Sequence, residues 1–142
     1  MGRHLYFFLG IMMLLVSACG ASDEELRLAF LLENPMASAS LPFAEPVSRV
    51  EREGDFDPPL GSASGSLVST NWELEEEDQL EEALELLVEQ AEIAGFVVEL
   101  TFEGAGSGTV GYDGVSDDGI RVAISGGTPT DLFPARVSVS LR

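Results

Sequence analysis

Between residues 76 and 94 the apolar positions recur at intervals of three and four: Leu80, Ala83, Leu84, Leu87, Val88, Ala91 and Ala94. That spacing lines one face of a helix. Gly95 follows, a residue able to take the left-handed conformation that closes a helix. On both sides of this segment the period drops to two. Upstream, Val68, Thr70, Trp72 and Leu74 alternate with their neighbours. Downstream, Phe96, Val98, Leu100 and Phe102 alternate with Val97, Glu99, Thr101 and Glu103. Such alternation belongs to a strand with one buried face. A helix with an apolar stripe, flanked by strands with one apolar side each, buries both by lying across one face of a sheet.

The rest of the C-terminal half extends that sheet. Val110 and Tyr112 follow the glycine-rich stretch Gly104 to Gly108. Ile120, Val122 and Ile124 follow the tight-turn pair Asp118-Gly119, with Arg121 and Ala123 outward. Gly126, Gly127 and Pro129 are expected to end that strand, and Val137, Val139 and Leu141 mark the last one. The expected fold is α+β, with one amphipathic helix on a mainly antiparallel sheet of about five strands in the order β-α-β-β-β-β, over residues 66–142. The other face of such a sheet stays polar.

The segment ahead of this domain reads differently. Ser22 and Glu25 form a capping box before Leu26 to Leu32, and Asn34-Pro35 is a stop signal. The expected short helix has apolar residues over most of its circumference, which suits docking onto its own domain or a partner. From Pro35 to Ser66 the chain is rich in Pro, Ser, Ala, Gly and acidic residues, with Phe43, Val47, Val50 and Phe56 interspersed. Without a sustained period, this stretch is expected to be a flexible tether reaching roughly 30 Å.

Charge excludes several partners. The chain has 25 Asp plus Glu against 7 Lys plus Arg, and none of the seven is a lysine. Every acidic residue follows Cys19. Nucleic acid and anionic lipid both call for a basic footprint, so neither is an expected ligand.

The first nineteen residues carry an address. A short positive start, Arg3 and His4, precedes an apolar run from Leu5 to Val16, which is too short to span a bilayer. Leu15, Val16, Ser17 and Ala18 then lead into Cys19, the one cysteine of the chain. This stretch resembles the lipobox of bacterial lipoprotein precursors, whereas the Ala-x-Ala site of an ordinary cleaved signal is not evident. The resemblance implies cleavage of residues 1–18 and attachment of diacylglycerol and a further fatty acyl chain, such as palmitate, to Cys19. It implies export and anchoring at the outer surface of a bacterial membrane, by lipid and not by a spanning helix. Beyond residue 19 the chain is similar only in general character to small lipoproteins of high-GC bacteria. The expected layout is therefore a signal peptide at 1–18, a lipidated N-terminus with helix and tether at 19–65, and the domain at 66–142.

Lipidation removes chemistry as well as adding an anchor. It consumes the cysteine, so the exported domain has no disulfide and relies on a packed core. The only histidine, His4, lies in the segment to be cleaved. Ser-His-Asp and Cys-His sites, a lysine Schiff base and His or Cys zinc sites are thereby excluded. Carboxylates remain. Glu99 and Glu103, four apart on one strand, are expected on one outward face and too far apart for a retaining glycosidase pair.

Three further features have ordinary explanations beside functional ones. Asp113, Asp117 and Asp118 offer oxygen ligands for calcium, but they lack an EF-hand pattern, and Asp and Gly are what a hairpin turn uses. The glycine-rich 104–108 stretch has phosphate-loop composition only, without the lysine or the following helix. Glu81, Glu82, Glu85, Glu89 and Glu92 share the helix's outer face without a basic residue at i+4. They form either a solvated face or a docking surface for a basic extracytoplasmic protein. Arg121, Arg136 and Arg142 give the sheet's outward face a weakly positive patch. The expectation is a non-enzymatic, lipid-anchored interaction module of the cell envelope with no cofactor beyond its acyl groups. An envelope binder of calcium or a small ligand is the alternative, and a carboxylate-dependent hydrolase a third reading.

Overall fold

The computed structural model describes residues 23–54, 65–76, 78–104, 108–131 and 133–142. The signal segment, Cys19, Ser22, Phe56 and the middle of the glycine-rich stretch lie outside the described residues. Helix α1 spans Asp23–Glu33, a 3-10 turn Pro35–Ser38, and helix α2 Gln79–Ile93. The strands are β1 Pro46–Arg52, β2 Leu67–Leu74, β3 Phe96–Glu103, β4 Thr109–Ser116, β5 Arg121–Gly127 and β6 Ala135–Leu141. They form one six-stranded sheet in the order β1-β2-β6-β5-β4-β3, antiparallel at every step. The fold is α+β.

The central strands form where expected, because one side of each is covered. Val68, Thr70, Trp72 and Leu74 of β2 are buried, as are Val122 and Ile124 of β5 and Val137, Val139 and Leu141 of β6. Leu80, Ala83, Leu84, Leu87 and Ala91 of α2 pack onto that layer. Burying a side chain the size of Leu or Val contributes about 1.5–3 kcal/mol, so this layer supplies most of the cohesion. Helix α2 ends at Ile93, with Ala94 as its C-cap, and Gly95 follows with a φ of 90°. It starts three residues later than expected, at Gln79 after Asp78.

The packing corrects some of these expectations and extends others. The segment expected as a tether contributes a strand: β1 pairs with β2 from Pro46↔Trp72 to Arg52↔Leu67, giving the sheet its sixth strand. The expected short helix docks onto the domain as α1, so two helices pack against the sheet. Leu31 of α1 and Met36, Ala37 and Leu41 after it are buried in the same core as Trp72. Arg49 of β1 donates a hydrogen bond to the Ala37 carbonyl, tying the strand to the 3-10 turn. Gly126 lies within β5, which ends at Gly127 ahead of Pro129. Finally, the register of β3 shifts between Leu100 and Phe102. This bulge sends Phe102 to the open face opposite Gly111 and sets Glu103 opposite Val110, whose side faces α2. Phe102 and Glu103 therefore exchange the faces expected from alternation.

Both helices lie on one side, leaving the other face of the sheet without a covering layer of described residues. Small polar side chains join the strands across it. Ser69 and Ser140 Oγ atoms are 2.9 Å apart, Ser125 and Ser138 2.8 Å, and Asn71 donates to Ser48 at 2.9 Å. Arg136 pairs with Glu73 there at 2.5 Å.

Candidate interaction surfaces

The exposed side of α2 is acidic along its length. Glu81, Glu82, Glu85, Glu89 and Glu92 are all exposed, opposite the leucines that hold the helix to the sheet. Among the described residues the ion pairs are Arg49 with Glu51 and Arg136 with Glu73. None of the five helix glutamates has a cationic partner there.

Where the first half of α2 crosses β3 and β4, the layers leave an open groove of about 500 Å³. Its floor is Leu80, Leu84, Leu100, Val110 and Tyr112, and its rim carries Asp78, Glu81, Glu85 and Glu103. Leu100 is 53% exposed, whereas the strand leucines Leu74 and Leu141 on the covered side of the sheet are buried. Helix register puts Glu81 and Glu85 on one rim, since residues four apart share a face. The bulge puts Glu103 on the other. Sequence reasoning missed the groove because simple alternation points Glu103 away from it. Gly111 was the available signal, because a glycine inside a strand often marks a bulge opposite.

The open face has its own concavity, of about 600 Å³, toward the end of the sheet that holds the β4–β5 turn. Arg121, Arg142, Val97, Val115, Glu99 and Asp113 are among the residues lining it. Arg121 and Arg142 exchange backbone hydrogen bonds of 2.9 Å in both directions, so they are cross-strand neighbours. Arg136 lies elsewhere, near the opposite end and paired with Glu73. The expected three-arginine patch is thus a pair plus a distant residue.

The carboxylate arrangement also differs from expectation. Glu99 and Glu103 are on opposite faces, and Glu99 instead stands directly across from Asp113. Side chains so placed have Cβ atoms about 4.5–5.5 Å apart. Both are exposed and line the concavity of the open face.

The calcium candidates are not brought together. Asp113 lies within β4, while Asp117 and Asp118 are in the β4–β5 turn. There Ser116 Oγ donates to the Asp118 carboxylate, and Gly119 N–H donates to the Ser116 carbonyl at 2.9 Å. Among the described residues no three Asp, Glu, His or Cys side chains converge in a way that could hold a metal ion. No helix among them is long and apolar enough to cross a membrane.

No protein-family model, curated protein or solved structure matches this chain.

Proposed function

We propose that this chain is an exported lipoprotein, anchored through Cys19, that works without catalysis as an interaction module of the cell envelope. The observation that carries the interaction half is the groove between α2 and the β3–β4 pair. It combines an apolar floor with carboxylates on both rims and no cation among the described residues to neutralise them. A basic segment with apolar side chains complements it. Its charges would meet Asp78, Glu81, Glu85 and Glu103, and its apolar groups would cover Leu100 and Tyr112. Long-range attraction by the acidic helix raises the encounter rate for such a partner. The anchor half rests on the lipobox-like residues Leu15 to Cys19.

Growth of cells with labelled palmitate tests the anchor. Native protein incorporates label and sediments with membranes, while Cys19→Ala does neither. A Cys19→Ala protein that remains equally membrane-bound contradicts the reading.

A further inference from the structure

The packing of α1 changes what the anchor means. Glu24 of its first turn accepts a hydrogen bond from Ser66 Oγ at 2.6 Å and from Gly54 N–H at 3.1 Å. Arg27, one turn on, donates to the carbonyls of Gly119 at 3.4 Å and Arg142 at 3.2 Å. The start of α1 is thereby fixed to the end of the sheet that holds the β4–β5 turn. Only Gly20, Ala21 and Ser22 separate Asp23 from Cys19, so covalent geometry limits the span between their Cα atoms to about 14 Å. The expected long tether follows this attachment point in the chain and cannot lengthen the leash.

That same end collects the arginines that lack an ion pair among the described residues. Arg52 is opposite Leu67, and Arg121 is opposite Arg142, all at this end of the sheet. With Arg27 they make four of the six arginines after Cys19, and none has a carboxylate within ion-pair distance among the described residues. Acidic side chains share the neighbourhood: Asp23, Glu24, Glu25 and Glu53 near the α1 start and Asp117 and Asp118 in the turn. On the open face the charges are ordered. Arg121 and Arg142 lie nearest the end, beside Val97 and Val115, and Glu99 and Asp113 lie one side-chain row further from it. From the membrane outward, a zwitterionic phospholipid presents phosphate first and ammonium second, the matching order. Guanidinium groups bind phosphate through several donors at once.

We infer that this end of the domain docks on the zwitterionic phospholipid headgroups of the bilayer that holds its own acyl chains. Arg121 and Arg142 meet phosphate, and Glu99 and Asp113 meet the ammonium groups. The inference rests on the lipid-anchor reading. It sets the domain upright, with β5 rising about 20 Å at strand geometry and the acidic groove at the far end, facing away from the lipid.

The test uses the full lipidated protein on phosphatidylethanolamine–phosphatidylcholine vesicles containing a headgroup-attached quencher. Acylation occupies Cys19, so a fluorophore goes to the one introduced thiol, Asp117→Cys or Asp131→Cys. These exposed turn residues lie at opposite ends of β5. Docking predicts loss of fluorescence at 117 and none at 131. It also predicts that the contrast disappears in Arg121→Gln/Arg142→Gln and weakens on phosphatidylglycerol vesicles. Equal loss at both positions, a contrast that survives the double substitution, or a stronger contrast on the anionic vesicles overturns the inference. Failure of the anchor reading shows separately, as native protein that carries no acyl group or as Cys19→Ala that stays on the vesicles.

Discussion

Gly126 of β5 lies directly beneath Leu80 of α2: a Cβ at the glycine would stand 2.7 Å from the leucine Cδ1 and 3.1 Å from Leu84 Cδ2. The helix reaches its distance from the sheet because that strand position has no side chain. Gly126→Ala is expected to destabilise the domain by about 1–3 kcal/mol through overpacking. Gly127→Ala, where a Cβ meets nothing within 4 Å, should be close to neutral. Urea unfolding of the two variants measures the difference.

Helix α1 is expected to be part of the cooperative unit. Leu31 is fully buried, whereas Leu26 on the same helix is 58% exposed. Leu31→Ala should cost about 2–5 kcal/mol and Leu26→Ala less than about 0.5 kcal/mol. Thermal unfolding followed by the single, buried Trp72 reports both. Equal, negligible effects would mean that α1 does not contribute to the core.

The face-to-face carboxylates of Glu99 and Asp113 repel one another across β3 and β4. Removing one charge, by Glu99→Gln or Asp113→Asn, is expected to raise stability by up to about 1 kcal/mol. The gain should shrink as salt screens the pair. A loss of stability would show that the pair is held by a ligand or neighbour that favours both charges.

Excess negative charge should also govern the response to cations. Melting temperature is expected to rise with sodium chloride and to rise equally in calcium chloride of matched ionic strength, because screening is all that either salt supplies. An additional, saturable rise in calcium would instead mark a bound ion and favour the envelope-binder alternative.

The parts of the fold legible in the sequence are those where burial alternates. β2, β5, β6 and α2 each have one covered side, so Trp72, Ile124, Val139 and Leu87 announce it by period. β1 gives no such signal, since all seven of its residues are exposed and its membership depends on pairing with β2. The existence of α1 is readable from Asn34-Pro35 and its apolar run, and docking onto its own domain is one of the two outcomes that run suggests; which face docks is not readable, because Leu26, Phe30 and Leu32 cover directions that Leu28 and Leu31 do not. The acidic helix face was legible from its spacing. The groove beside it was not, because it depends on the bulge that carries Glu103 across the strand.

The proposed function has the acidic groove, at the outer end of an anchored domain, receive a basic partner. Site-specific photo-crosslinking in cells tests it most directly, with the reactive side chain placed at Leu100 in the groove or at Ser138 on the open face of the lipidated protein. The prediction is a discrete crosslinked protein from position 100, absent from position 138, and lost both in Glu81→Gln/Glu85→Gln/Glu103→Gln and in Cys19→Ala. No product at position 100, or the same product from both positions irrespective of the carboxylates, would contradict it.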